Sequence, residues 1–202
     1  MKLDVRQYFN SITHQILLDH LNTIFKDEKL LAVFKFIISN YSNNNGKGIP
    51  IGNLTSQYFA NHFLNKVDRF IKENLKVRYY VRYMDDMLLF NLNKEFAKRC
   101  EKEIREFLLS QLHLELKISQ LNRIYVGIPF LGYRVFKHRM VLGPVARSRF
   151  VKKMKLYQQS HFAGVISEKS ASEGSRALLA FAERADILCL KKKINFEYGS
   201  YL

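Results

Sequence analysis

Apolar and polar positions alternate most clearly in the middle of the chain. Val77, Tyr79, Val81 and Tyr83 alternate with Arg78, Tyr80 and Arg82, and Met87, Leu88, Leu89 and Phe90 follow two aspartates. Period-two runs of β-branched and aromatic residues predict strands, and Asp85–Asp86 between them predicts a tight hairpin turn. Met1 to Val5 reads as another strand, with almost no lead-in. Elsewhere the period is helical. Ile12, Ile16, Leu17, Leu21 and Ile24 predict a helix capped by Asn10 or Ser11 and ending near Phe25. A second helix is expected from Asp27 to Ser39. Its Leu30, Leu31, Val33, Phe34, Phe36 and Ile37 predict deep burial. Asn40 to Gly48 is a polar loop, and a helix to about Leu75 follows with Tyr58, Phe59, Phe63, Val67, Phe70 and Ile71 as its stripe. Asn93 to Leu112 predicts an amphipathic helix lying on a sheet, with Phe96, Cys100, Ile104, Phe107 and Leu108 on the apolar side.

Short strand-like runs come next, at Leu112–Ile118, Ile124–Val126, Phe130–Phe136 and Met140–Leu142. From Gly143 the composition changes. Ala146 to Ser160 predicts a basic helix, and a polar connection around Gly164 to Gly174 leads to a last helix ending near Leu190. The expected organisation is therefore an α+β body over residues 1–143 and a small helical piece over 144–202. The body should be an antiparallel sheet with helices packed on one face.

Composition narrows the function. Apolar residues make up 48% of the 202 positions, enough to form a core. Against 18 Asp and Glu stand 33 Lys and Arg, a formal charge of +15 that favours a polyanionic partner over a merely solvated surface. Cys100 and Cys189 lie far apart and match no metal spacing, so they read as buried thiols in a reducing compartment. No apolar run approaches a membrane span. The six histidines are scattered without zinc spacing, and no nucleophile motif or phosphate-binding glycine loop appears.

The candidate chemistry sits on strand ends. Asp4 ends the first strand, and Asp85 and Asp86 tip the hairpin. Adjacent carboxylates on an apolar hairpin repel each other and resist desolvation unless a cation neutralises them. Hard oxygen ligands suit Mg²⁺, although Asp-Asp is also ordinary turn chemistry. Three such groups on one sheet edge could hold two divalent ions about 4 Å apart, the arrangement used for in-line displacement at phosphorus. Before the expected helix at residues 54–75, Gly52 would let a ligand approach the backbone, and Asn53 is a good N-cap whose unpaired amides could face phosphate.

Taken together, these motifs resemble reverse transcriptases. Lys2-Leu3-Asp4-Val5 with Tyr8, Phe9 and Ile12 resembles that family's first metal-binding motif. Tyr83-Met84-Asp85-Asp86 resembles its YxDD box, and Phe130-Leu131-Gly132-Tyr133 the motif that ends the palm. The resemblance implies a polymerase palm followed by a thumb-like helical segment, and an RNA-directed DNA polymerase that joins nucleotides with two Mg²⁺ ions, for which Mn²⁺ can substitute. It implies Asp4, Asp85 and Asp86 as metal ligands, with Asp86 the least direct, and the Val5 carbonyl as a further ligand. Phe9 takes the place of the steric gate against a ribose 2′-hydroxyl, with a core aromatic as the competing reading. Gly52, Asn53 and Gln57 would shape the nucleotide and template pocket, and Tyr83 and Met84 would touch the primer end or incoming sugar. Arg147, Arg149, Lys152 and Lys153 would contact the duplex backbone, unless they are a solvated helix face. Lys117 is a weak match to the lysine that protonates pyrophosphate, and an ordinary surface lysine is the better reading.

Ile51-Gly52-Asn53-Leu54-Thr55-Ser56-Gln57 points to a subclass. Most bacterial reverse transcriptases, including group II intron and retron enzymes, carry Gln before this Gly and Pro after this Ser. Ile51 and Gln57 in those places resemble the diversity-generating retroelement enzymes. That resemblance implies cDNA synthesis from a template RNA and misincorporation opposite adenine. It also implies a basic, oligomeric accessory variability protein and the cytoplasm of a bacterial or phage-infected cell. A group II intron or retron enzyme, or a non-catalytic nucleic-acid-binding palm remnant, are the alternatives. The family's fingers region, which precedes the first metal-binding strand, has no counterpart here. The polypeptide is therefore expected to polymerise poorly or not at all by itself, as a fragment, a split gene product or a remnant.

Overall fold

A computed structural model describes residues 1–41, 46–90 and 93–186. The chain forms two compact units, Met1–Leu121 and Asn122–Leu202. The first contains β1 (Lys2–Asp4), a short α1 (Tyr8–Ser11), α2 (His14–Ile24) and α3 (Glu28–Ser39). It continues through α4 (Leu54–Phe63), α5 (Asn65–Arg69) and a π turn (Phe70–Asn74) to β2 (Tyr79–Tyr83), β3 (Asp86–Phe90) and α6 (Lys94–Leu112). Among the described residues no helix is long and apolar enough to cross a membrane.

The three strands pair antiparallel in the order β1-β3-β2. Residues 116–120 add bridges on the free edge of β1, through Val5–Leu116 and Lys2–Gln120. Strand alternation gives the sheet two unlike faces. Leu3, Met87 and Arg82 form one cross-strand row, with Leu89 and Tyr80 beside it, and Leu3, Met87 and Leu89 are fully buried. Asp4, Asp86 and Tyr83 form a row on the opposite face. The core gathers the first set with Leu17 and Leu21 of α2, Phe59, Ala60 and Phe63 of α4, and Cys100, Ile104 and Leu108 of α6. Each such large side chain contributes about 1.5–3 kcal/mol by leaving water.

The predicted hairpin and the α6 helix are as expected, and the Asn93 side chain caps α6 by accepting from the Phe96 amide at 2.7 Å. Asp27 caps α3 in the same way. Three expectations are corrected. The first helix starts at His14, because Gln7 takes a left-handed conformation and α1 fills the segment where Asn10 or Ser11 would have capped. The helix expected up to Leu75 is broken at Leu64 and closes in a π turn. α3 is not deeply buried: Val33 and Phe36 are 52% and 67% exposed, so only one stripe of its apolar surface meets the core.

The second unit is also more than helical. β4 (Ile128–Phe130), β5 (Tyr133–Val135) and β6 (Met140–Leu142) form an antiparallel sheet of their own, followed by α7 (Pro144–Phe162) and α8 (Glu168–Ala182). Leu142, Phe150, Met154, Ala182 and Ala185 form its core with Tyr133 packed against them. The boundary expected near residue 143 therefore falls inside this unit. The change of composition there marks the start of α7, while the strands before it belong to the same core. α8 begins at Glu168 with Ser167 as its cap, so the polar connection is shorter than expected. The expected helix end near Leu190 and Cys189 lie outside the described residues.

Candidate active site

The site grows from the register of the sheet. Asp4 stands opposite Asp86, and Asp86 opposite Tyr83, so the three share a face pointing away from Leu3 and Met87. Asp85 occupies the turn between β2 and β3, next to Met84, whose φ of 53° is left-handed. Left-handed geometry closes a two-residue turn tightly, and a methionine adopts it only when its surroundings hold it there.

Two lysines neutralise the acids. Lys2 Nζ lies 2.8 Å from an Asp86 carboxylate oxygen, and Lys117 Nζ lies 2.8 Å from an Asp4 carboxylate oxygen. The Lys117 amide also donates to the Asp4 carbonyl, which fixes residue 117 beside β1. The hydrogen bond to Asp4 raises the Lys117 pKa above its ordinary value, and the charges of Asp4, Asp85 and Asp86 add to this. Burial raises the Asp85 carboxyl above the usual range, with the charges of Asp4 and Asp86 pushing the same way. Lys117 is thus an exposed lysine that pairs with Asp4. Its partnership with Asp4 depends on a bridge between residues far apart in sequence.

The acids fit a divalent cation in kind, since carboxylate oxygens are its preferred donors. Their present arrangement is that of acids paired with lysines. Among the described residues no group of three or more His, Cys, Asp or Glu side chains is close enough to hold a metal ion. The expected three-carboxylate cluster is therefore present as neighbours on one face and one turn, and not as a gathered ligand set.

The other site residues fall into two groups. Val5 is fully buried beside Asp4. Phe9 is half-buried, packs on the core and meets Tyr8 edge-to-face at 5.7 Å. Its carbonyl accepts from the Ile49 amide, and His14 Nε2 lies 2.6 Å from the Gly48 carbonyl oxygen, so the loop before Gly52 is pinned to the segment after β1. Tyr8 Oη donates to the Ala60 carbonyl of α4. Gly52 has φ 102° with open space around its Cα. Ile51 is 74% exposed. Asn53 holds the N-cap position of α4, though its side chain makes no cap hydrogen bond, and Gln57 is exposed one turn on. Arg147, Arg149, Lys152 and Lys153 are all exposed on α7, in the second unit.

One cluster escaped the sequence reading. Arg82 reaches from β2 to Asp68 of α5 and Asn61 of α4, and Tyr80 Oη donates to the same Asp68 at 2.7 Å. The available signal was an arginine on the same strand face as Tyr80, which a buried face accommodates only with a paired acid.

Residues 1–135 match the family model for reverse transcriptase (RNA-dependent DNA polymerase). The chain belongs to the reverse transcriptase family. A curated relative, the putative COX1/OXI3 intron 2 protein of Saccharomyces cerevisiae, is 28% identical over 199 residues, covering 67% of this chain. This chain spans 23% of that protein's length. Telomerase structures from Candida tropicalis and Candida albicans, each in complex with a fragment of telomeric RNA, share the fold. Their TM-scores are both 0.51, at 14% and 12% identity, over 97% and 99% of this chain and 39% and 41% of theirs. The α+β architecture is that of reverse transcriptase family members.

Proposed function

We propose that this chain is the palm portion of an RNA-directed DNA polymerase, acting on an RNA template, a DNA primer and deoxynucleoside triphosphates. The observation that carries the reading is the row Asp4–Asp86–Tyr83 with Asp85 at the adjoining turn, in a chain of the reverse transcriptase family. Asp4, Asp85, Asp86 and the Val5 carbonyl would hold two Mg²⁺ ions. When bound, the ions would act as Lewis acids on the phosphate and the attacking hydroxyl. Until then Lys2 pairs with Asp86 and Lys117 with Asp4. Lys117 Nζ, held protonated by Asp4, would supply a proton to the departing pyrophosphate. Tyr83 would present its exposed ring to the primer end, and Met84 would meet the incoming sugar. Phe9 would stand against a 2′-hydroxyl. Gly52, Asn53 and Gln57 would border the template base. Arg147, Arg149, Lys152 and Lys153 would hold the duplex backbone.

The test is primer extension on an RNA template by this chain, alone and joined behind a reverse transcriptase fingers segment. Asp85→Asn should lower the single-turnover rate about 1,000-fold, the several kcal/mol expected for losing a group at the reacting phosphate. An Asp85→Asn protein extending at the wild-type rate would sink the reading. A non-catalytic remnant would extend nothing in either form, and would bind no Mn²⁺ in a titration.

On subclass, Ile51 and Gln57 favour a diversity-generating retroelement enzyme, with a basic accessory protein as partner. The exposed Ile51 beside Gly52 leaves the template pocket without the amide that would check a base pair. The intron protein among the relatives favours an intron enzyme instead. Sequencing the cDNA decides between them. Errors concentrated opposite adenine and reduced by Ile51→Gln support the first reading, and a uniform error spectrum supports the second.

A further inference from the structure

Met84, in the turn that carries Asp85, sits in a conformation that costs a non-glycine residue about 1–2 kcal/mol. Something must hold it. On the helix-facing side of the sheet, every N–H of the Arg82 guanidinium is spoken for. Nε and Nη2 donate to the two carboxylate oxygens of Asp68 at 2.8 and 2.6 Å. Nη1 and Nη2 donate to the side-chain and backbone oxygens of Asn61 at 3.1 and 3.2 Å. The remaining Nη1 hydrogen donates to the Met84 carbonyl at 3.0 Å. A guanidinium has five such hydrogens in a fixed planar fork, and no other side chain could make this set of contacts.

The Met84 carbonyl and the Asp85 amide belong to one planar peptide unit. Fixing that oxygen therefore fixes the plane from which Asp85 departs. Asp68 and Asn61 in turn fix the guanidinium to α5 and α4, and Tyr80 holds Asp68 from β2. The chain of contacts runs from the helices, under the sheet, to the residue before the acid. We propose that Arg82 is a positioning residue, which sets the orientation of Asp85 through Met84 without touching substrate. The inference rests on the polymerase reading for its consequence, and on the hydrogen bonds alone for its mechanism.

Arg82→Lys tests it, since a lysine keeps the charge but has three hydrogens on one atom and cannot span Asp68, Asn61 and Met84 together. Asp68→Asn is the milder second variant, weakening the anchor while leaving the Met84 contact. Two readouts are taken on this chain. Backbone amide exchange by NMR should become about tenfold faster at Asp85 and Asp86 in Arg82→Lys, and less so in Asp68→Asn, while Ile104 in α6 stays at its wild-type rate. Single-turnover extension in the assay above should fall about 10- to 100-fold with the primer–template Kd unchanged, the cost expected for a small misplacement of a reacting group. Unchanged exchange at Asp85 overturns the inference. So does faster exchange at Ile104 as well, which would mean only a weakened fold, or faster exchange at Asp85 with an unchanged extension rate. If the wild-type chain extends no primer in any form, the polymerase reading fails instead, and exchange at Asp85 still decides whether Arg82 holds the turn.

Discussion

The two faces of the sheet carry acid–base pairs of opposite construction. On the helix side Asp68 meets Arg82 through both carboxylate oxygens, with Tyr80 and Asn61 completing the cluster. On the open side Asp86 and Asp4 each meet one lysine through one oxygen. The guanidinium fork demands a single geometry and resists exchange, whereas an ammonium on a flexible stem can swing away at little cost. The first arrangement suits a strut. The second leaves each acid with only a single, exchangeable contact.

That contrast can be broken in three ways. The largest effect should come from Arg82→Met. Arg82 and Asp68 are 12% and 27% exposed at their side chains, so removing the arginine leaves a largely buried carboxylate uncompensated. The expected loss is about 3 kcal/mol in urea unfolding. Burial alone would lower the arginine's pKa, yet the Asp68 hydrogen bonds and charge outweigh it and raise the value, as an integral pair requires. A loss below about 1 kcal/mol would make this pair no stiffer than a surface one.

An intermediate effect should come from a group the core keeps uncharged. His20 is 5% exposed, lies 6.3 Å from the His62 ring and 5.6 Å from Phe63, and has its pKa pushed down to about 4 by burial, with Lys66 and His62 adding to it. Below its ordinary value of 6.5 the unfolded chain takes up a proton that the folded chain refuses. Its contribution is therefore complete above pH 6.5 and is lost as pH falls toward 4. Up to about 3 kcal/mol of stability should disappear across that window. Urea midpoints against pH measure this, and His20→Gln should flatten the slope there. A slope unchanged by His20→Gln would show that the histidine is charged in the folded state.

The smallest effect should come from Lys2→Met. Lys2 and Asp86 are 19% and 22% exposed at their side chains, much as the Arg82 pair is, so the single contact and not exposure makes the expected loss smaller, about 1–2 kcal/mol. Urea unfolding of Lys2→Met next to Arg82→Met compares the faces directly. Equal losses would erase the distinction between strut and exchangeable pair.

Much of the first unit could be read from local signals. Asn93 and Asp27 cap their helices because a short side-chain acceptor satisfies nearby amides whatever the rest of the fold does. The hairpin is equally local, since its alternation and its acidic turn lie within a few residues. The start of α2 was misread because the left-handed Gln7 and short α1 precede it, and no residue pattern announces them. The exposure of Phe36 was missed because periodicity reports that a face is apolar, not that something covers it. Lys117 reads only as a weak candidate in the sequence, and Arg82 as none, for a shared reason. Each is an ordinary basic residue until an acid from elsewhere in the chain, Asp4 or Asp68, is brought beside it.

Residue order alone determined the strand–turn–strand bearing Asp85 and Asp86, the amphipathic faces of the helices and the family resemblance, because each depends on neighbours within a turn or a hairpin. Tertiary packing decided that Asp4 faces Asp86 across β1 and β3, that Lys117 lies on Asp4, and that Arg82 braces Met84 from below. Charges act through space. Which of them meet is set by strand register and helix placement, and those are settled only when the whole hydrophobic core closes.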